Sequence, residues 1–274
     1  MPHISFSQMQ TLIGCPEKHR RQYLLEQPQQ TGAAAAIGVA AHMVPEKCLK
    51  ALQQGMRMPT KESALKAVQA KWRIMAEAGL DLSGQRGTYV LGDCEAMALR
   101  YGEMLYDEVV PVVRKGTKEA EWQFYLPFGV DGWHFKGAVD HVREDAKGRL
   151  IIDDWKTTSN ISTWSQTRAD KSPQVEAYYW AAWQHWGKIP YKFVFHVVGN
   201  KGGVTEYKAL ETDRPWGLVE GWRDRLVYAT KQIALHDRTV PSDKRVDYDW
   251  HQTCPWKREC TPWEFGSVGE SVIL

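Results

Sequence analysis

Residues 133–157 constrain the fold more than any other stretch of this chain. WHFKGAVDHVRE (133–144) and RLIIDDWKT (149–157) are rich in β-branched and aromatic residues, and Ala146-Lys147-Gly148 between them has the make-up of a tight turn. With Gly148 in the left-handed position of a three-residue loop, Asp145 pairs with Arg149 and the register runs on at a constant residue sum of 294. Asp140 then lies opposite Asp154, and directly paired residues project from one face with Cβ atoms about 4.5–5.5 Å apart. Lys156 shares that face, while Asp153 and His141 point the other way. Gly137 reads as a position where another backbone comes close.

Two carboxylates at that spacing raise one another's pKa unless a cation sits between them. Mg²⁺ or Mn²⁺ suits such a pair, keeps several waters and binds phosphate oxygens as well. Lys156 beside such an ion would orient or deprotonate a metal-bound water, or stabilise charge building on a phosphoryl centre.

Upstream of the hairpin the apolar period is helical. Residues 5–26 read as a helix with Ser7 as N-cap, and 33–52 as a second in which Pro45 makes a kink or marks the first turn. Residues 61–78 form a third. From Val90 the residues Cys94, Met97, Tyr101, Leu105 and Val109 define a long amphipathic helix that ends before Pro111. Strand 121–128 joins the hairpin through the turn 129–132. Downstream come helix 173–186, opened by Ser172-Pro173, a hairpin of 191–199 with 204–210, helix 215–235 and a tail containing Trp and Cys. The order predicts an α/β (mixed α+β) fold, with a mixed central sheet flanked by helices and a helical N-terminal portion. No linker divides the chain, so 1–274 reads as one domain: a helical N-terminal portion over 1–115, a sheet core over 116–212 and a C-terminal helix and tail over 213–274.

Thirty-five Lys+Arg against thirty-three Asp+Glu leave a net charge of +2, so a nucleic-acid partner has to be argued from a site and not from a global field. No stretch reaches the ~18 apolar residues of a membrane span, and a cytoplasmic protein without a membrane partner is the expectation. Five cysteines, an odd number, argue against a disulfide framework. Cys48 and Cys94 read as core thiols. Trp155, Trp164, Trp180, Trp183 and Trp186 read mostly as core, with base stacking as the other use of such rings. No G-x-x-x-x-G-K-[ST] motif supplies a motor.

Gly137, Asp140, Asp154, Lys156 and Thr157, in G-x-x-D followed by a hydrophobic strand ending D-x-K-T, resemble the PD-(D/E)xK nuclease superfamily. Ser5, Ser7 and Cys15-Pro16, then Gly38 and His42 in G-x-x-x-H, Glu121, and Gln174 and Tyr178 in Q-x-x-x-Y follow the order of its RecB-like branch, which includes CRISPR-associated RecB-like nucleases and phage exonucleases. The resemblance implies a metal site of His42, Asp140, Asp154 and the Trp155 carbonyl, with Lys156 as catalytic lysine. It also implies that Glu121 helps hold a second metal or water and that Gln174 and Tyr178 line the DNA side. The activity implied is that of an Mg²⁺- or Mn²⁺-dependent deoxyribonuclease. It would act as an exonuclease on single-stranded or end-bearing double-stranded DNA, in recombination or repair beside a partner protein, in a bacterial or phage-infected host cell. A catalytically inactive DNA-binding protein of the same fold and a metal-dependent RNA nuclease are the alternatives.

Cluster-bearing members of that branch join a Cys at the C-P position to a C-terminal C-x2-C-P-x4-C, and here His251 stands at the first of those three positions. Cys15, His251, Cys254 and Cys260 therefore read as ligands of a [4Fe-4S] cluster with one imidazole, as a Cys₃His zinc site, or as a remnant. Such a site would gather Lys18, Arg20, Arg21, Lys257 and Arg258, which read as phosphate contacts or as a solvated face.

Overall fold

The computed structural model describes residues 2–84 and 87–235, together with Cys254 and Trp256. In chain order the elements used below are β1 (His3–Ser5), α1 (Phe6–Gly14), α2 (Ala33–Gln53), α3 (Lys61–Glu77), α4 (Leu91–Met104), β2 (Thr117–Pro127), β3 (His134–Glu144), β4 (Leu150–Thr158), α5 (Pro173–Trp186), β5 (Lys192–Lys201), β6 (Val204–Thr212) and α6 (Trp222–Leu235). Contacts divide the chain into two compact units, Met1–Gln30 with Phe124–Gly137 and Glu220–Leu274, and Thr31–Gln123 with Ala138–Val219.

In the first unit β1 pairs in parallel with the opening residues of β3, Ile4 opposite Phe135. Ser5, not Ser7, caps α1: its hydroxyl accepts from Gln8 N at 3.1 Å and its own N–H donates to the Gln8 side chain at 2.7 Å. The helix stops at Cys15, whose extended backbone begins a separate turn at Pro16, so the expected single helix over 5–26 is broken. Phe135 and Trp222 pack with ring centroids 5.9 Å apart and Phe6 closes on Trp222 at 6.1 Å. Gly137 makes room for a ring, not for a backbone: a Cβ there would meet Phe124 Cζ at 2.3 Å.

The second unit is a helix–sheet–helix sandwich. Its sheet runs β2-β3-β4-β5-β6, with β4 and β5 parallel and the pairs β3–β4 and β5–β6 antiparallel, hence mixed. Trp155 and Val198 join the core formed by α2, α3 and α4, around Ala40, Val44, Cys48, Val68, Cys94 and Leu105. On the opposite face Tyr179 of α5 meets Phe193 of β5 at 6.4 Å. Cys48 and Cys94 are core residues, as their setting in the helices implied. The backbone of α2 runs through Pro45, where the missing N–H forgoes one helical bond without ending the helix. The helix from Leu91 does not end before Pro111. A π-helical turn at Leu105–Val109 shifts the hydrogen-bond phase, and Pro111 falls in the first turn of Val110–Val113, where no N–H is needed.

Candidate active site

The β3–β4 hairpin keeps the register expected from the sequence up to one point. Glu144 pairs with Leu150, Arg143 with Ile151, Val142 with Ile152 and His141 with Asp153, each pair summing to 294, and Gly148 has φ +71°. Asp140 and Asp154 are not a further rung of the ladder. Instead Asp140 Oδ2 accepts the Trp155 N–H at 2.7 Å, so its carboxylate replaces a backbone partner where the strands part.

Asp154 is buried, 3% exposed: Oδ1 accepts from Gln174 Nε2 at 2.7 Å, while Oδ2 is ion-paired with Lys156 Nζ at 2.6 Å but has no well-directed hydrogen bond among the described residues. Burial pushes its pKa up to about 6, with Asp140 adding to the rise and Lys156 opposing it. Asp140 is likewise raised by burial against the pull of Lys156. Tyr178, one turn after Gln174 on α5, hydrogen-bonds to it, and burial lifts the phenol well above its usual range. A chain of side chains therefore runs Tyr178, Gln174, Asp154, Lys156.

Helix α2 reaches the same place through Gly38. A Cβ there would meet Thr157 Oγ1 at 2.6 Å, so only glycine lets the helix lie this close to β4. One turn later His42 presents an Nε2 that is buried and has no hydrogen-bond partner among the described residues. Burial, then the charge of Lys156, pushes its pKa down to about 4, so the imidazole is neutral.

Glu121 has its backbone in the left-handed region, φ +55°, within strand β2. A non-glycine residue held there stores roughly 1–3 kcal/mol of strain. Burial, then Asp140 and Glu46, pushes its pKa up to about 8. Its neighbour Glu119 is taken by Gln53 Nε2 at 2.8 Å.

Glu46, which the motifs of the sequence do not single out, acts on Asp140, Glu121 and His42 through its charge, pushing the pKa of each upward. It lies four residues after His42 on the same helix face, and that i, i+4 spacing is the signal that could have found it. Its own carboxylate is paired with Lys50 at 2.6 Å.

The structure thus gathers His42, Glu121, Asp140, Asp154, Lys156, Gln174 and Tyr178 around the end of the β3–β4 ladder. Trp155 contributes its N–H to Asp140, and its ring is buried in the core. Among the described residues no three His, Cys, Asp or Glu side chains are grouped so as to hold a metal ion as they stand. The donor chemistry fits a hard divalent cation all the same: a neutral, enclosed imidazole Nε2 without a partner among the described residues lies within electrostatic reach of Asp154, and Asp154 and Asp140 are carboxylates that burial makes costly to ionise without a compensating cation.

The model of the PD-(D/E)XK nuclease superfamily matches residues 3–261. The chain belongs to the PD-(D/E)XK nuclease superfamily. Membership in this superfamily points to a metal-dependent nuclease, a hydrolase, and to a nucleic-acid substrate. The mixed sheet with helices on both faces is consistent with the PD-(D/E)XK fold. No curated protein matches the sequence. Among solved structures, the crystal structure of SSO0001 aligns with 93% of this chain and 97% of its own, at 14% identity and a TM-score of 0.33.

Of the cysteine set, Cys15 and Cys254 lie in the first unit. Cys15 and Cys254 are both buried free thiols, and Cys15 Sγ accepts the Lys18 N–H at 3.3 Å. His251 and Cys260, like Lys257 and Arg258, lie outside the described residues. Arg20 and Arg21 are held by Glu17 at 2.7 and 2.8 Å and are little exposed, which fits neither a solvated face nor a free phosphate site. Of the tryptophans, Trp155, Trp164 and Trp180 are buried, Trp186 packs on Trp122 at 4.3 Å, and Trp183 is 36% exposed against Trp216. Among the described residues no helix is long and apolar enough to cross a membrane.

Proposed function

We propose that this PD-(D/E)XK protein is an Mg²⁺- or Mn²⁺-dependent deoxyribonuclease of the RecB-like branch, acting as an exonuclease on DNA ends in recombination or repair. The observation that carries the reading is the enclosed group of Asp140, Asp154, Lys156 and the unpartnered His42 Nε2 at the point where one ladder ends. A structural hairpin has no use for a buried carboxylate raised toward neutrality beside an unpaired imidazole.

His42, Asp140 and Asp154 would hold the metal, with the Trp155 carbonyl beside them. When bound, the ion supplies Lewis acidity to a phosphoryl oxygen and acidity to its water. Lys156 brings an ammonium to the place where charge develops on the phosphoryl oxygens. Gln174 fixes the Asp154 carboxylate by donating to Oδ1, and Tyr178 fixes Gln174. Glu121, with a pKa of about 8, holds a proton at neutral pH and so can exchange one near the site. The proposal extends to the tail: Cys15, His251, Cys254 and Cys260 bind a [4Fe-4S] cluster or Zn²⁺. The N–H donated to Cys15 Sγ supports this, because such bonds stabilise a thiolate.

The test is cleavage of end-labelled single- and double-stranded DNA with Mg²⁺ or Mn²⁺ by wild type, Asp154→Ala and Lys156→Ala. Progressive shortening by wild type alone is expected. Equal degradation by all three would overturn the site, binding without cleavage would turn the reading toward a DNA-binding protein, and preference for labelled RNA would change the substrate. Iron and zinc analysis after anaerobic purification tests the tail; a preparation with neither metal contradicts it.

A further inference from the structure

Behind the candidate site, on the opposite face of β4, a polar relay crosses every strand of the second unit's sheet. Thr117 of β2 is 3.2 Å from His141 Nε2 of β3, and His141 Nδ1 is 3.0 Å from Asp153 Oδ2 of β4. Arg143, also on β3, donates its Nε to Oδ2 at 2.8 Å and its Nη2 to Oδ1 at 3.3 Å. From the other side His196 Nε2 of β5 lies 3.0 Å from Oδ1, and its Nδ1 is 2.9 Å from the Tyr207 hydroxyl of β6. Asp153, His141 and His196 are essentially inaccessible to solvent. Each Asp153 oxygen thus has two donors, and each imidazole uses both nitrogens.

Such a network is an inefficient way to stabilise a sheet. Well-packed apolar residues in place of a buried ionic group are often as stable or more so, and its distinctive property is that it tolerates only one geometry. Its place in the fold says what that geometry serves. His141 opposite Asp153 is the last rung of the β3–β4 ladder, and the next residues along each strand are Asp140 and Asp154. Past that rung no backbone pair joins β3 to β4, and the Asp140–Trp155 N–H bond and the His141 and Arg143 ties to Asp153 hold those strands, while His196 braces Asp153 from β5, which stays paired with β4 from Ile151 to Thr158.

We infer that the Thr117–His141–Asp153–His196–Tyr207 relay is a positioning device that sets the spacing of Asp140 and Asp154, and with it the metal affinity and turnover of the site. None of these residues touches substrate; they act through the strands. The inference rests on the nuclease reading above, and the two are tested separately.

His196→Phe removes one donor from Asp153 Oδ1 and keeps a ring of similar size, and His196→Gln can still donate. Mn²⁺ affinity is read without substrate by electron paramagnetic resonance. The kcat and KM on end-labelled DNA are read at a temperature well below each variant's Tm. His196→Phe is expected to bind Mn²⁺ about 10-fold more weakly and to lose about 10-fold in kcat at unchanged KM, as loss of an outer support to a metal site does, while His196→Gln recovers most of both. An unchanged Mn²⁺ affinity or an unchanged kcat overturns the inference. If His196→Phe does not fold, Tyr207→Phe, which removes only the outermost hydroxyl, decides by the same readings with an expected effect of about threefold. A wild type that cleaves nothing defeats the nuclease reading, and Mn²⁺ affinity then decides the relay alone.

Discussion

Asp153 and Asp154 are consecutive, both buried, and 0% and 3% exposed, yet the structure treats them oppositely. Burial would raise Asp153, but His141 and His196 outweigh it and hold the carboxyl well below the usual range. Asp154 has one neutral donor and one lysine, faces Asp140, and is pushed up to about 6. Equal burial therefore does not mark a site. What separates the two carboxylates is how far partners offset burial: two imidazoles and Arg143 do so for Asp153, whereas Asp154, with Lys156 and a neutral amide, stays raised, and His42 within its electrostatic reach has an Nε2 without a partner among the described residues.

The largest way to break this contrast is Asp153→Ala, which strands Arg143 and both imidazoles without a carboxylate. We expect a loss of roughly 3–5 kcal/mol, read by urea unfolding; a loss under about 1 kcal/mol would show that the relay carries no fold energy. Lys156→Ala acts on the other face. DNA cleavage should fall about 10²–10³-fold while the fold, read by circular dichroism, is kept.

The pH dependence carries opposite signs on the two faces. The folded pKa of Asp154 is raised from 3.8 to about 6, so without metal its share of stability falls as pH rises from about 4 through about 6. Asp153 is lowered, so its share is present above the unfolded pKa and disappears as pH falls below it. Asp154→Asn should consequently raise metal-free stability at pH 8 by about 1–3 kcal/mol while abolishing cleavage. A lower Tm for this variant at pH 8 would contradict the raised pKa. Smallest is Glu121→Gly, which removes the left-handed strain at φ +55°. A gain of about 1 kcal/mol is expected together with weaker cleavage, and a stability loss would place the strain elsewhere.

Much of this site is legible in the sequence. Gly148 sets the turn, the turn sets the register, and the parity of the strand puts Lys156 with Asp154 and sends Asp153 away. The direct rung between Asp140 and Asp154 fails because a side chain competes for the Trp155 N–H and ends the ladder one pair early, which strand parity does not foresee. Glu46 is legible from its helical spacing to His42, although no motif marks it. His196 and Tyr207 are not legible, since their approach to Asp153 depends on β5 lying beside β4, a neighbourhood that local periodicity does not encode. Ser5 and Ser7 each precede a glutamine by three residues, and only the pairing of Ile4 with Phe135 decides which one caps the helix.

We propose that the buried Asp154 carboxylate, with the unpartnered His42 Nε2 nearby, holds a metal ion. Mn²⁺ titration of wild type and Asp154→Asn at pH 8, followed by electron paramagnetic resonance, tests it most directly. Saturable binding by the wild type that is lost in Asp154→Asn is the predicted result; equal binding by the two proteins, or none by the wild type, would contradict it.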